Sequence, residues 1–337
     1  MSQSIMTPQE ATMSKLFPRC QAIPVAGHEV RFLIDSWHRL SWHFGTDYPR
    51  PFFDPFIGPS GQSLTRMGHP GAPNHDHHQS IWFAHMNVTG IDFWLNGLPP
   101  VIRQKEWLAY VDSDDEAIMG VKLEWFDGHN PAPLMEQEVI ASVRPPADAE
   151  SDDPNRLPVG ETLFEIQTTL TPVSQQLELG KTNFGLLAVR VAKNLSAVFG
   201  GGKLTNSEGA EGEKPIFGKP ARWMDYSGPV MPAADPSMSD VIEGITYFDH
   251  PSNPGHPAHW HVRNDGWMNA SLCFEGPRLI TQSQPLTLRY LLYAHAGAYD
   301  AETSAKTAEM FAGSPGFVVE KGKIPHHAWS IRRQPSV

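Results

Sequence analysis

Apolar residues recur at every second position through much of this chain. In EVRFLID (29–35), Val30, Phe32 and Ile34 fall on one side of an extended backbone, the period-two signature of a half-buried strand. The same texture returns at 101–111, 118–126, 134–143, 162–170, 184–192, 242–249 and 286–295, and FDG, SGP, NPG and EGP punctuate the runs as turns. Neither a βαβ rhythm nor a repeat of fixed period is visible. One segment, DAETSAKTAEMFAG (300–313), has a helical pattern, with Asp300 placed as N-cap and Gly313 where a C-cap belongs. Successive antiparallel strands need a facing sheet to bury their apolar sides. The pattern therefore predicts an all-β fold, a large antiparallel β-sandwich with one or two short helices. It occupies residues 28–330 as a single domain, behind an N-terminal extension at 1–27.

Composition agrees with that reading. The 337 residues include 28 Gly and 31 Pro, and charged residues make up 19%, below the ~25% usual for soluble domains. A net charge of −11 argues against a nucleic-acid groove or an anionic membrane surface as partner. Cys20 and Cys273 are the only cysteines, too few for a disulfide framework. MSQSIMTPQEATMSKLFPRC (1–20) has no apolar core or small-residue cleavage signal. No run approaches the ~18 apolar residues of a membrane span, so the expectation is a soluble, cytoplasmic protein.

Two stretches interrupt the strand pattern. Residues 143–160 are acidic and Pro-rich and read as a solvated loop. Residues 200–220 begin GGGK, but Ala197 and Leu204 break the phosphate-loop spacing, leaving a flexible surface crossing as the expectation.

The chemistry concentrates elsewhere. HPGAPNHDHHQSIWFAH (69–85) holds five histidines, FDHPSNPGHPAHWHVR (248–263) holds four more, and the whole chain has 16. If 79–88 is a strand, Ile81, Phe83, His85 and Asn87 share one face and Trp82, Ala84 and Met86 the other. An extended lead-in would point His75 and His77 together, with His78 opposed. Such a His-x-His pair suits two ligands of a divalent metal such as Zn²⁺, or proton transfer near neutral pH. Two dense clusters, each near Trp, Asn and Arg, point to a shared pocket rather than two polar loops. Trp82, Trp94, Trp223 and Trp260 offer faces on which a sugar ring could stack. No G-x-S-x-G elbow is present, and neither cysteine has a neighbouring histidine that would activate it.

In order along the chain, YPRPFFDPFIGPSGQSLTR, HDHHQSIWFAHMNVTGIDFW, ARWMDYSGP and FDHPSNPGHPAHWHVR resemble the signature blocks of the PmoA-like family, bacterial proteins often labelled methane oxygenase, over roughly residues 28 to 310. Asp76 and Gln79 depart from the family's H-P-H-H-R, and Gln79 removes a basic residue suited to an anionic substrate. The label conflicts with the absence of a membrane span. The resemblance implies instead a sandwich like that of sugar mutarotases and a carbohydrate context, in which the protein acts after a sugar dehydrogenase.

Three function classes follow. The first is a carbohydrate-active lyase or hydrolase working on glycosides, including 3-keto glycosides. There His78 or His85 serves as base and His261 as acid, and Arg66, Trp82, Asn87, Asn253, Trp260 and Arg263 contact substrate. His75 and His77 are the candidate metal pair in a variant of that chemistry. The second class is a non-catalytic carbohydrate-binding sandwich. The third, a metal-dependent oxygenase, lacks a recognisable His-His-carboxylate triad.

Overall fold

The computed structural model describes residues 17–147, 157, 159–233 and 239–335. Its first sheet runs β1 (Cys20–Val25), β2 (Glu29–Ile34), β3 (Trp37–His43), β4 (Phe52–Phe56), β5 (Ile81–Ala84), then β11 (Leu186–Arg190), β16 (Trp267–Ser271) and β15 (His259–Arg263). The second runs β12 (Lys203–Asn206), β13 (Trp223–Val230), β14 (Val241–Asp249), β18 (Leu286–Ala296), β9 (Thr162–Pro172), β8 (Met135–Arg144), β7 (Ala117–Phe126) and β6 (Val101–Val111). Two ribbons complete the set, β10 (Gln176–Leu179) with β17 (Arg278–Thr281) and β19 (Phe317–Lys321) with β20 (Trp329–Arg333). Every pairing between these strands is antiparallel. The expected all-β architecture of large antiparallel sheets is therefore observed, and each alternating run found in the sequence contains a strand.

The inward faces meet in one apolar core. Phe53 of the first sheet packs edge-on against Phe164 of the second at 4.7 Å, and Tyr247 meets Trp260 at 4.9 Å. Burying such large rings removes most of their area from water, on the order of 2 kcal/mol for each side chain. Only two α-helices occur among the described residues, α1 (Glu213–Ile216) and α2 (Ala301–Gly313). The Asp300 side chain accepts a hydrogen bond from the Thr303 N–H at 2.7 Å, the N-cap expected there. Gly313 is the last helical residue and Ser314 the cap, one position later than expected. Phe311 anchors the helix on Trp223, Phe248 and Leu291 on the outer face of the second sheet.

Two sequence expectations change. The 200–220 segment is not a loose crossing, because it supplies edge strand β12 and then α1. Its glycines are needed for close approach: a side chain on Gly202 would collide with the Leu195 carbonyl. Order also begins before residue 28, since β1 pairs with β2 from Cys20↔Ile34 to Val25↔Glu29. Residues 1–16, and most of the acidic stretch within 143–160, lie outside the described residues.

A buried carboxyl on β14 links the fold to pH. One Glu243 oxygen accepts the Ser60 N–H at 2.6 Å, while the other has no partner. Burial raises its pKa from 4.5 to about 7. As pH climbs from 4.5 to 7 the unfolded chain ionises first, so this group costs the native state about 3 kcal/mol by neutrality. Glu243→Gln should leave stability unchanged near pH 4 and raise it relative to wild type above pH 7, measured as urea midpoints across that range. Parallel pH profiles for the two proteins would contradict the assignment.

Candidate functional site

Four adjacent strands of the first sheet build the site. Trp82 (β5) lies opposite Ala188 (β11), Ala188 opposite Asn269 (β16), and Asn269 opposite His261 (β15). One row along, Arg190 lies opposite Trp267 and Trp267 opposite Arg263. Residues paired this way share a face, and here it is the face turned away from the second sheet. Their alternating neighbours Val189, Met268 and Val262 enter the core. The outward face carries a cleft of about 350 Å³ whose lining includes His75, His77, His78, Arg190, His261 and Trp267. Trp94 and Phe184 wall it, their rings 4.9 Å apart.

The first histidine cluster forms one rim, in a shape different from the extended lead-in expected. Pro73–His75 is a 3-10 turn, and the His78 N–H donates to the His75 carbonyl at 3.2 Å. Chain reversal brings all three rings together: His75 and His77 at 5.4 Å, His75 and His78 at 5.0 Å, His77 and His78 at 4.5 Å. His78 also packs on Trp82 at 5.5 Å and on Trp267 at 4.4 Å, and Trp267 lies 5.8 Å from His261. Histidines almost two hundred residues apart thus share one cleft, with an indole between them.

Arg50 fixes this rim from below. It donates to the Gln79 side chain at 2.9 Å, to the His77 carbonyl at 3.4 Å, and to the carbonyls of Phe93, Trp94 and Leu95 at 3.2, 2.7 and 3.0 Å. Gln79 accordingly serves this structural clamp. Two arginines line the cleft, Arg263 and Arg190, and the sequence reading missed the second although it stands as a lone cation in the apolar run LLAVR.

Arg190 is fully buried. It donates to Asp265 at 2.6 Å, and His69 meets the other oxygen of that carboxylate at 2.8 Å. Burial opposes the charge on Asp265, but Arg190 and His69 hold its pKa below the usual value. Nε and Nη2 of Arg190 have no protein partner, nor do Nδ1 of His78 and Nε1 of Trp82 and Trp267. Unpaired buried donors are costly, and three of these residues, Arg190, His78 and Trp267, line the cleft.

Burial disfavours the charged form of the imidazoles in this cleft. Burial, reinforced by neighbouring His75 and Arg50, lowers His77 to about 4. Burial with Arg263 does the same to His261. Burial and His77 push His78 down further still, and His75 is lowered too. A backbone carbonyl selects the tautomer of His261: Nδ1 lies 3.1 Å from the Asn183 oxygen and must donate there, leaving the Nε2 lone pair available.

The remaining sequence candidates are placed as follows. Trp82 is buried beneath His78, and Arg263 lines the cleft while pairing with Glu213 at 2.9 Å. His85 is buried beside the cleft's walls, its Nε2 on the Gly180 carbonyl at 2.9 Å, under Gly185 (φ +133°), where any Cβ would strike the imidazole. Asn87 accepts from the Gly90 N–H at 2.9 Å in a turn. Arg66 donates to backbone oxygens of Val191, Gly68 and Asp265. Trp260 points into the core and donates to the Ala221 carbonyl. Asn253 bridges Asp249 and Arg289 in a separate hollow that also takes His259. Among the described residues no group of three or more His, Cys, Asp or Glu is arranged to hold a metal ion.

The chain belongs to DUF6807, a family of unknown function whose model matches residues 29–309. That finding replaces the PmoA-like resemblance drawn from the signature blocks. No curated protein matches the chain. Among solved structures, a candidate mutarotase from Salmonella typhimurium is similar over 82% of this chain and 97% of its own, with 12% identity and a TM-score of 0.30. At that score it supports no argument about function. No helix among the described residues is long and apolar enough to cross a membrane.

Arg50 offers a direct check on how the rim is held. Arg50→Ala leaves five acceptors without their donor, and charge-assisted hydrogen bonds contribute roughly 1.5–3 kcal/mol each. The variant should lose at least about 3 kcal/mol in denaturant unfolding, with faster amide exchange at residues 77–79 and 93–95. Unchanged exchange there would show that the rim is held by something else.

Proposed function

We propose that this chain is a carbohydrate-active enzyme, a lyase that removes a proton beside a sugar carbonyl and thereby expels a glycosidic substituent. The observation that carries the reading is that one cleft is lined by His261, whose Nδ1 is held by a backbone carbonyl, by buried Arg190, whose Nε and Nη2 are unpaired, and by Trp267. An indole face matches the C–H face of a pyranose. A guanidinium fork with free donors is suited to an oxygen that gains negative charge, and in a water-poor cleft it acts without reorganising. A neutral imidazole is the protonation state a general base requires.

On a 3-keto glycoside the step balances as follows. Nε2 of His261 takes the proton from C2, and the electron pair moves toward the C3 oxygen held by Arg190. As the C3 carbonyl reforms, a C1–C2 double bond develops and the C1–oxygen bond breaks. The imidazolium of His261 returns its proton to the departing oxygen, restoring the starting enzyme. His78, which lines the same cleft, holds a substrate hydroxyl in this scheme. A substrate of this kind requires a preceding oxidation of a ring hydroxyl by a separate sugar dehydrogenase.

The test compares a 3-keto glycoside with its unoxidised parent. Turnover should be confined to the keto form, and His261→Ala should lower kcat about 10²–10⁴-fold. Arg190→Lys, which keeps the charge but loses the fork, should cost a comparable factor. Because His261 titrates near 4, the rate should rise as pH passes through that value and stay flat to neutrality. Binding of the glycoside without turnover by wild type would replace this reading with the carbohydrate-binding one, and full activity in His261→Ala would remove the assigned base.

A further inference from the structure

The cleft is chemically divided along the strands. All of its charged lining residues, Arg190, Arg263 and Asp265, lie at one end, in the row where Arg190, Trp267 and Arg263 pair and in the turn that follows β15. His75 reaches this end too, since its ring lies 5.5 Å from that of His69, which holds Asp265. At two residues per row on one face, the Leu186 row lies four residues from the Arg190 row. A strand covers roughly 13 Å over that length. Phe184 and Met86 lie beyond the Leu186–Ala84 pair, and Trp94 spans the two ends, its ring 4.9 Å from Phe184 and 5.7 Å from Trp267; with Leu95 they add no charged side chain to the lining.

Those four residues form an apolar shelf open to solvent. Trp94 is buried, but Met86 and Leu95 are 39% and 38% exposed. His261 sits between the two ends, 5.8 Å from Trp267 and 5.7 Å from Phe184. A sugar whose carbonyl meets Arg190 and whose C1–C2 bond lies at His261 would send its glycosidic substituent toward the shelf. The shelf offers ring faces, a thioether and a leucyl side chain; the Trp94 indole N–H is its one polar side-chain group, and it carries no charge.

We propose that the natural substrates are glycosides of an aromatic, apolar aglycone, and that the shelf formed by Met86, Leu95, Trp94 and Phe184 binds that aglycone. The inference rests on the lyase reading for the position of the sugar, and it adds the class of leaving group. It also accounts for the easy departure of the C1 substituent, because a phenolate is a far better leaving group than an alkoxide.

The experiment measures binding of phenyl and methyl glycosides matched in their sugar, across a small panel of pyranosides, by calorimetry. Wild type should bind the phenyl glycoside at least tenfold more tightly than the methyl glycoside of the same sugar. A Met86→Ser/Leu95→Ser double variant should bring that ratio close to one; both side chains are at the surface, so the fold should tolerate the change. Arg190→Lys should weaken both ligands by a similar factor and keep the ratio. A wild-type ratio near one, or a ratio unmoved by the double variant, would overturn the aglycone assignment and leave the lyase reading standing. Failure of every glycoside in the panel to bind would overturn both.

Discussion

Side chains directly opposite one another in β5, β11, β16 and β15 share a face, and that register performs two tasks. Val189, Met268 and Val262 go inward to the core, while Arg190, Trp267, Arg263 and His261 go outward to the cleft. A slip of one residue in any of these strands would exchange the two sets, burying charge in the core and emptying the site. Core and chemistry are therefore specified by the same hydrogen bonds. The aromatic contacts between the sheets, such as Tyr247 on Trp260, hold the register that the cleft needs.

The site's electrostatics follow from depth. Arg190 is charged, fully buried and satisfied on only one of its nitrogens, through Asp265. Burying a cation this way is expensive unless a partner completes it. The same desolvation that makes Arg190 costly strips the protons from the surrounding imidazoles. One physical cause thus makes Arg190 costly to bury and lowers the basicity of the histidines around it. Arg50 and the 3-10 turn at Pro73–His75 keep those rings packed on the indoles rather than free in solvent.

Period-two alternation made the sheets legible from residues alone, and the His-rich blocks marked both segments that reach the cleft. The rest depended on information that alternation does not contain. Whether a histidine run is extended or turned is decided by Pro73 and by the clamp from Arg50, a residue far away in sequence, so the rotation of His75, His77 and His78 could not be read. Arg190 and Asp265 look ordinary in sequence, as a cation within a strand and an acid within a turn, and only strand pairing joins them. Trp260 and His261 show the limit most clearly. They are adjacent and equally attractive as site residues, yet one step of the pleat sends the first into the core and the second into the cleft. The second histidine block is likewise split by that pleat and by the turns before it, with Asn253 and His259 lining a different hollow.

A crystal structure with a bound unoxidised glycoside, which lacks the carbonyl that makes the C2 proton acidic and so is not turned over, would test the account most directly. The sugar should lie across Trp267 between His78 and His261, with one ring oxygen substituent hydrogen-bonded to Nε or Nη2 of Arg190. Density for the ligand in the hollow of Asp249 and His259, or a cleft in which Arg190 makes no ligand contact, would contradict it.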